Sequence, residues 1–270
     1  GADRRMIGQP GRPARSDTMR RRALAGDTFG SMVGLTPAVG AVFGLFLIPL
    51  TQNFGWKRAA VSGVLGLISV GPALATPIIG RLIDRNGTRR MLIGGNLCFA
   101  TAIALLAFTT HNIVQFYATF ALVALSSALV STPVLAKLVS DWYTRNRGAA
   151  LGFCAGIGNG VGSTIVPVIA ASVMAVAGRR AAYLAIAATV LAIGLPSYVM
   201  LVRDPPPVDP GPGTGRGDGL TLREASRTSI FWLVVCAIAG GAGSLSAIFS
   251  HIVPILDERG IGIVTATMVL

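Results

Sequence analysis

Few residues in this sequence are able to do chemistry, and most of them stand at the ends of apolar runs. The string Gly80-Arg81-Leu82-Ile83-Asp84-Arg85-Asn86-Gly87-Thr88-Arg89-Arg90 sets one carboxylate among four arginines. That arrangement favours the charged form of Asp84 and suits ion pairing rather than catalysis. Gly80 is expected to permit close helix contact, and Gly87 a tight turn. The plainer alternative is a loop whose arginines only mark the cytoplasmic side. Within the apolar runs the polar candidates are neutral: Thr36, Ser126, Ser127, Ser131, Asn159, Ser163, Ser244 and Ser246. Each hydroxyl can line a substrate path or simply bond its own helix backbone. Asn159 is the sharpest candidate, because a buried amide needs partners. His251 can gate or sense protons, or stand as an interfacial polar residue. No Asp, Glu, Lys or Arg lies near the middle of any complete run, so ion paths and anion sites are not marked there.

Enzyme chemistry is not expected. The sequence has no HExxH, no paired carboxylates inside the apolar runs, no Ser/His/Asp set and no G-x-x-x-x-G-K-[ST] loop to bind ATP. Cys98, Cys154 and Cys236 form no CxxC and no Cys/His metal spacing, and read as small packing residues. No cofactor and no metal are implied.

The elements that must position these residues are membrane helices. Of the 270 residues, 52% are hydrophobic and 13% charged, and the mean hydropathy is +0.66. A soluble domain carries roughly 25% charge, so the composition argues against a soluble enzyme, a disordered chain or a nucleic-acid-binding domain. The 34 glycines suit packed membrane helices, where small residues let backbones approach. Charges delimit runs at 28–56, 59–80, 91–136, 148–178, 181–202 and 228–256. About 20 residues cross a bilayer core as helix. The run 91–136 is too long for one helix and breaks at Thr109-Thr110-His111-Asn112, which reads as a turn. The predicted helices are 29–52, 59–82, 91–109, 112–138, 148–177, 181–202 and 229–254, with an eighth beginning near Ile261 and cut off at Leu270. Pro37, Pro72, Pro77, Pro133 and Pro167 are read as tolerated kinks.

This gives four regions: a disordered basic cytoplasmic tail (1–28), a six-helix bundle (29–202), a Pro- and Gly-rich cytoplasmic linker (203–228), and the start of a second bundle (229–270). Leu220, Leu222, Ala225 and Ile230 are candidates for a short amphipathic helix ahead of helix seven. The tail has no apolar signal-peptide segment; Met6 or Met19 is a candidate start, or the sequence is a fragment of a longer one. On this topology 18 of the 23 basic residues fall on the side of the N-terminus. That bias places the N-terminus in the cytoplasm of a plasma (inner) membrane and provides contacts for anionic headgroups. The net charge of +12 is thereby an orientation signal, and nucleic acid is not an expected partner.

Helix five carries Gly148, Gly152, Gly156 and Gly160, spaced to form one groove down a single face, with Gly158 and Gly162 expected to widen it. The groove reads either as static close packing or as a surface on which two bundles slide during alternating access.

The loop 80–90 resembles the major facilitator signature G-x-L-x-D-R-x-G-R-R/K-R/K, with Thr88 where that family often has a basic residue. The resemblance implies that Asp84, Arg85, Arg89 and Arg90 brace two bundles in one conformation, with Asp84 bonded to an arginine at a neighbouring helix end, for which Arg147 is the candidate. Three further strings are similar to the monocarboxylate-transporter-like branch, which includes oxalate/formate antiporters. They are Asn53-Phe54-Gly55-Trp56-Lys57-Arg58-Ala59, the stretch from Asp141-Trp142-Tyr143 through Arg147-Gly148 to Gly152, and Ser250-His251 through Pro254 to Gly260. Tyr143 replaces Phe, Asn146 replaces Arg, and Gly178-Arg179-Arg180 stands where the branch often has Gly-Trp-Arg. The implied fold is an all-α polytopic bundle followed by an incomplete second one. The implied activity is secondary active transport of a small solute, with a small organic anion such as a monocarboxylate as the expected substrate and a proton or counter-substrate as the partner. In that branch the carboxylate-holding cations come largely from helices eight and eleven. The alternatives are a carrier of a neutral solute or drug with the same fold, and a truncated membrane protein that transports nothing.

Overall fold

The structure is a computed structural model that describes residues 13–143, 147–203, 222–241 and 244. It divides into two compact units, Gly1–Pro206 and Pro207–Leu270. Every regular element among the described residues is helical.

In the first unit, α1 (Pro13–Met32) breaks at Val33–Gly34, passes through a π segment (Thr36–Gly40) and resumes as α2 (Phe43–Phe54). Pro37 sits in the first turn of the π segment, where its missing N–H is least costly. The Ala41 N–H donates to the Thr36 carbonyl at 2.8 Å, five residues back, which widens the helix locally. Gly55 ends α2 with φ +67, a conformation open to glycine. A short α3 (Arg58–Ser62) leads into α4 (Val64–Asn86), and Gly87 at φ +84 turns the chain directly into α5 (Thr88–Leu106). The Asn112 side chain accepts the Val114 N–H at 2.9 Å and so caps α6 (Ile113–Ser127). A 3-10 turn (Ala128–Val130) and an extended Ser131 precede α7 (Thr132–Trp142). The last long element, α8 (Arg147–Thr189), is interrupted at Gly178 (φ +78) and runs on through π segments Val190–Gly194 and Ser197–Leu201.

Five stretches are long and apolar enough to cross a membrane: Thr18–Leu47, Arg58–Asn86, Thr88–Leu106, Ile113–Val139 and Arg147–Leu201. The last has 55 residues. As one helix it would be roughly 80 Å long at about 1.5 Å per residue, far beyond the ~30 Å hydrocarbon core. The non-helical Gly178 divides it, so the unit has six passes, named here first to sixth span. Their ends sort as an up-down bundle requires. At one end Asp84 meets Lys137 and Arg89 meets Val199; at the other Phe54, Trp56, His111 and Arg179 cluster.

One expectation needs correction. The expected disordered tail (1–28) is helical from residue 13: α1 runs through 13–28, with Ala23 fully buried and Asp27 only 3% exposed. The charge at Asp27 looks like a helix boundary in the sequence, whereas its side chain turns inward to the bundle. Residues 1–12 lie outside the described residues.

The first span is central and packs against the fifth and sixth spans and α7. Phe46 stacks on Tyr183 at 3.9 Å between ring centroids, and Phe43, Phe116 and Phe120 extend the contact to the fourth span. The Tyr117 hydroxyl donates to the Ala60 carbonyl at 2.7 Å, joining the fourth span to α3. The second span is the opposite case: only 11% of its most apolar window is buried, and Val70, Leu74 and Ile78 expose one face at four-residue spacing. So much exposed apolar surface is stable only against lipid or another protein surface.

In the second unit, α9 (Leu222–Ala225) is a single turn and α10 spans Ser229–Gly241. The Trp232 Nε1–H donates to the Ser226 carbonyl at 2.9 Å, fastening the connection between them. Most of the expected linker, the rest of helix seven and all of helix eight lie outside the described residues.

Candidate functional site

Asp84 closes the last turn of α4 and is exposed. Its Oδ1 accepts from Lys137 of α7. The sequence reading named Arg147 as that partner. The correction follows from packing: α4 lies along α6 and the 3-10 turn of the fourth span, and this carries Lys137 to the carboxylate. Arg147 opens α8 and is exposed. Arg89, in the first turn of α5, donates to the Val199 carbonyl at 2.7 Å and so fastens the turn to the sixth span. Arg85 and Arg90 are exposed. Gly87 has the positive φ of a tight turn. Gly80 does not mediate close contact, since a Cβ built there would meet nothing within 4 Å.

The fifth-span glycines separate into two sets. A Cβ at Gly158 would stand 2.6 Å from both the Ser31 Cβ and the Thr28 carbonyl oxygen, and one at Gly162 would run into the Met32 backbone. These two residues hold α8 against α1 and do not widen the other groove, as the sequence reading had them do. At Gly148, Gly152, Gly156 and Gly160 a Cβ would meet nothing within 4 Å, and all four are exposed. Gly156, Ile157, Gly160, Val161, Thr164 and Ile165 line an open groove of about 440 Å³.

The neutral polar candidates are mostly satisfied by their own helices. Ser126 donates to Leu122 O at 2.7 Å, Ser127 to Ala124 O at 2.7 Å, Ser131 to Ala128 O at 2.8 Å, and the Asn159 amide to Ala155 O at 3.0 Å. Ser127 is fully buried, which removes it from any open path in this arrangement. Thr36 is exposed within the π segment, Ser163 is half-buried and Ser244 is exposed. Ser246 and His251 lie outside the described residues.

Two residues that sequence reasoning passed over stand out. Asp27 is a carboxylate inside α1, in contact with Ser31 and Cys154. A signal for it was present: Asp27, Thr28 and Ser31 recur at the spacing of one helix face. Arg179 follows the turn at Gly178, and its guanidinium lies 4.8 Å from the Phe54 ring centroid, a cation–π contact. Trp56 and His111 approach the same ring at 4.7 and 4.9 Å. No sequence spacing foretells that cluster, because its members come from three different connections.

Comparison with known proteins gives a consistent set of likenesses. The family described as Major Facilitator Superfamily matches residues 21–270. The chain is 25% identical over 205 residues to the MFS transporter asaE of Aspergillus flavus, covering 67% of this chain and 43% of that one. It is 27% identical over 163 residues to the probable L-galactonate transporter of Escherichia coli, covering 58% and 34%. It is 22% identical over 232 residues to the uncharacterized MFS-type transporter YcxA of Bacillus subtilis, covering 84% and 55%. The matched segment thus spans about half, or less, of each of these relatives.

Proposed function

The chain belongs to the Major Facilitator Superfamily, and from that premise we propose that it works as a secondary active carrier moving a small solute by alternating access. The observation that carries this reading is the open glycine face of the fifth span. Four residues without side chains leave backbone exposed along about 18 Å of helix, at about 1.5 Å per residue. A second helical bundle can approach that face closely and move along it without unlocking side chains. The joints Asp84–Lys137 and Arg89–Val199 brace the first bundle at the end where its turns carry most charge.

The substrate class of this proposal is a small organic anion such as a monocarboxylate, exchanged for a counter-substrate or moved with a proton, in the monocarboxylate-transporter-like branch. The strings around Phe54-Gly55-Trp56 and Trp142-Tyr143 support that placement. So does the relative named for L-galactonate, itself a carboxylate. The basic residues of the 80–90 turn, the start of α1 and the start of α8 favour an N-terminus in the cytoplasm of a plasma membrane. The test is uptake of a labelled monocarboxylate into liposomes holding the chain, with carboxylates and neutral solutes as competitors. Saturable uptake blocked by carboxylates is the expected result. Competition by neutral solutes alone would move the substrate class, and no saturable uptake of any solute would end the carrier reading.

A further inference from the structure

Between the first and sixth spans lies an open groove of about 350 Å³ that the proposed transport cycle does not use. Its floor is a close helix contact, possible because Gly26 and Gly30 of α1 carry no side chains. A Cβ at Gly26 would stand 3.0 Å from Val202 and 3.3 Å from Leu201, and one at Gly30 would run into the Tyr198 ring. Position 26 thus meets 202 while 30 meets 198, so the two spans are antiparallel. Phe29, 46% exposed, forms one wall; Ala192, Ile193, Pro196, Met200 and Leu201 of the sixth span form the other. The one hydroxyl in the lining, Ser197, is buried and donates to the Gly194 carbonyl at 2.7 Å. The walls follow the sixth span from Ala192 to Met200, about 12 Å of helix at about 1.5 Å per residue. A surface so free of uncommitted polar side chains takes hydrocarbon.

Positive charge stands at one end of this groove. Arg22 precedes Phe29 by seven residues, two turns of α1, and so lies within about 20° of it on the same helix face. Arg203 directly follows Val202, the residue seated on Gly26. Antiparallel packing brings the two arginines to the same end, and both are exposed. Cations at the end and apolar walls below them complement an amphiphile with an anionic head. Guanidinium groups suit phosphate, whose oxygens accept paired N–H bonds. An extended peptide fits poorly, because these walls offer its backbone amides no side-chain partners. A helix of another chain satisfies its own amides but leaves the arginines in need of acidic residues. A zwitterionic lipid brings an ammonium to the arginines together with its phosphate, whereas an anionic phospholipid brings negative charge alone.

We propose that the seam between the first and sixth spans binds one anionic phospholipid, with an acyl chain in the groove between Phe29 and Met200 and the phosphate held by Arg22 and Arg203. The bound lipid ties the first span to the sixth from the bilayer side. The site requires a membrane-spanning bundle and does not rest on the carrier reading.

Native mass spectrometry of the chain in uncharged detergent, titrated with phosphatidylglycerol or with phosphatidylcholine of the same acyl chains, reads the site directly. One phosphatidylglycerol per chain is expected to stay bound at concentrations where phosphatidylcholine is lost. Arg22→Gln and Arg203→Gln are each expected to weaken that binding about fivefold, and together about 30-fold. Ala192→Phe fills the groove without touching the arginines and is expected to weaken it as well; it carries the test if the arginine variants fail to fold. Arg85→Gln with Arg90→Gln removes two exposed arginines of the 80–90 turn and is expected to change nothing. An equal loss in that pair would reduce the effect to general attraction by a basic surface, and overturns the proposal. So does equal retention of the two lipids, or binding that the arginine variants and Ala192→Phe all leave unchanged. Displacement of the lipid by free glycerol phosphate would mark an ion site without a chain seat, and lipid-free dimers would make the groove an interface between copies; either result overturns the proposal.

Discussion

Gly158 and Gly162 lie on one side of the fifth span, and Gly156 and Gly160 lie on the other, since two residues are about 200° apart around a helix. Both pairs have the same residue type and the same four-residue spacing. Yet a side chain at the first pair would collide with Ser31, Thr28 and Met32, while one at the second would meet nothing. The first pair is a static joint: the helices are close because glycine is there, and neither can move without breaking the contact. The second is an open surface, with no other described residue within reach. A small-residue stripe therefore has two uses that spacing cannot distinguish, and the partner atoms decide which applies.

The sharpest way to break this comparison is Gly162→Leu. The clash is with backbone atoms of Met32, which cannot rotate away, so the cost should exceed about 3 kcal/mol, the upper end of ordinary overpacking. Little monodisperse protein, or a much lowered unfolding midpoint in detergent, is the expected outcome; a normal midpoint would show that α1 and α8 are not closely joined. Arg89→Leu removes the charged hydrogen bond to Val199 and should destabilise by roughly 1.5 kcal/mol, the low end for such bonds because Arg89 is partly exposed. Thermal unfolding measures it, and no shift would mean that the turn at Gly87 does not hold the sixth span. Lys137→Gln breaks an exposed ion pair, so its effect should stay below about 1 kcal/mol and shrink as salt is added. An effect that salt leaves unchanged would argue for a desolvated pair. Gly156→Leu should leave the unfolding midpoint level or raise it by a propensity gain of up to about 1 kcal/mol. Loss of folded protein in that variant would place an unseen neighbour on the open face within this chain.

Much of the architecture was legible in the sequence because it depends on desolvation along a line. The turn at 109–112, the divide at Gly178 and the six passes follow from where charge and polar residues interrupt apolar runs. The start of the first span was not legible: Asp27 interrupts the run, yet it is internal, and only the third dimension shows the helices that cover it. The turn at 80–90 was legible as an arginine-rich loop closed by Gly87, but the partner of Asp84 was not. Ion-pair choice depends on which helix end arrives beside the carboxylate, and Lys137 arrives through the packing of α4 on the fourth span. The hydroxyl candidates show the limit of residue type alone. Ser127 and Asn159 look like site residues, and both spend their hydrogen bonds on their own helix.

On the proposed mechanism the open face of the fifth span is a moving surface. The measurement is the initial rate of labelled monocarboxylate uptake into liposomes, wild type against Gly156→Leu and Gly160→Leu, with folded protein quantified in each. Saturable uptake by the wild type, lost in both variants at undiminished folded content, is the expected result. Uptake at the wild-type rate in both variants would contradict it.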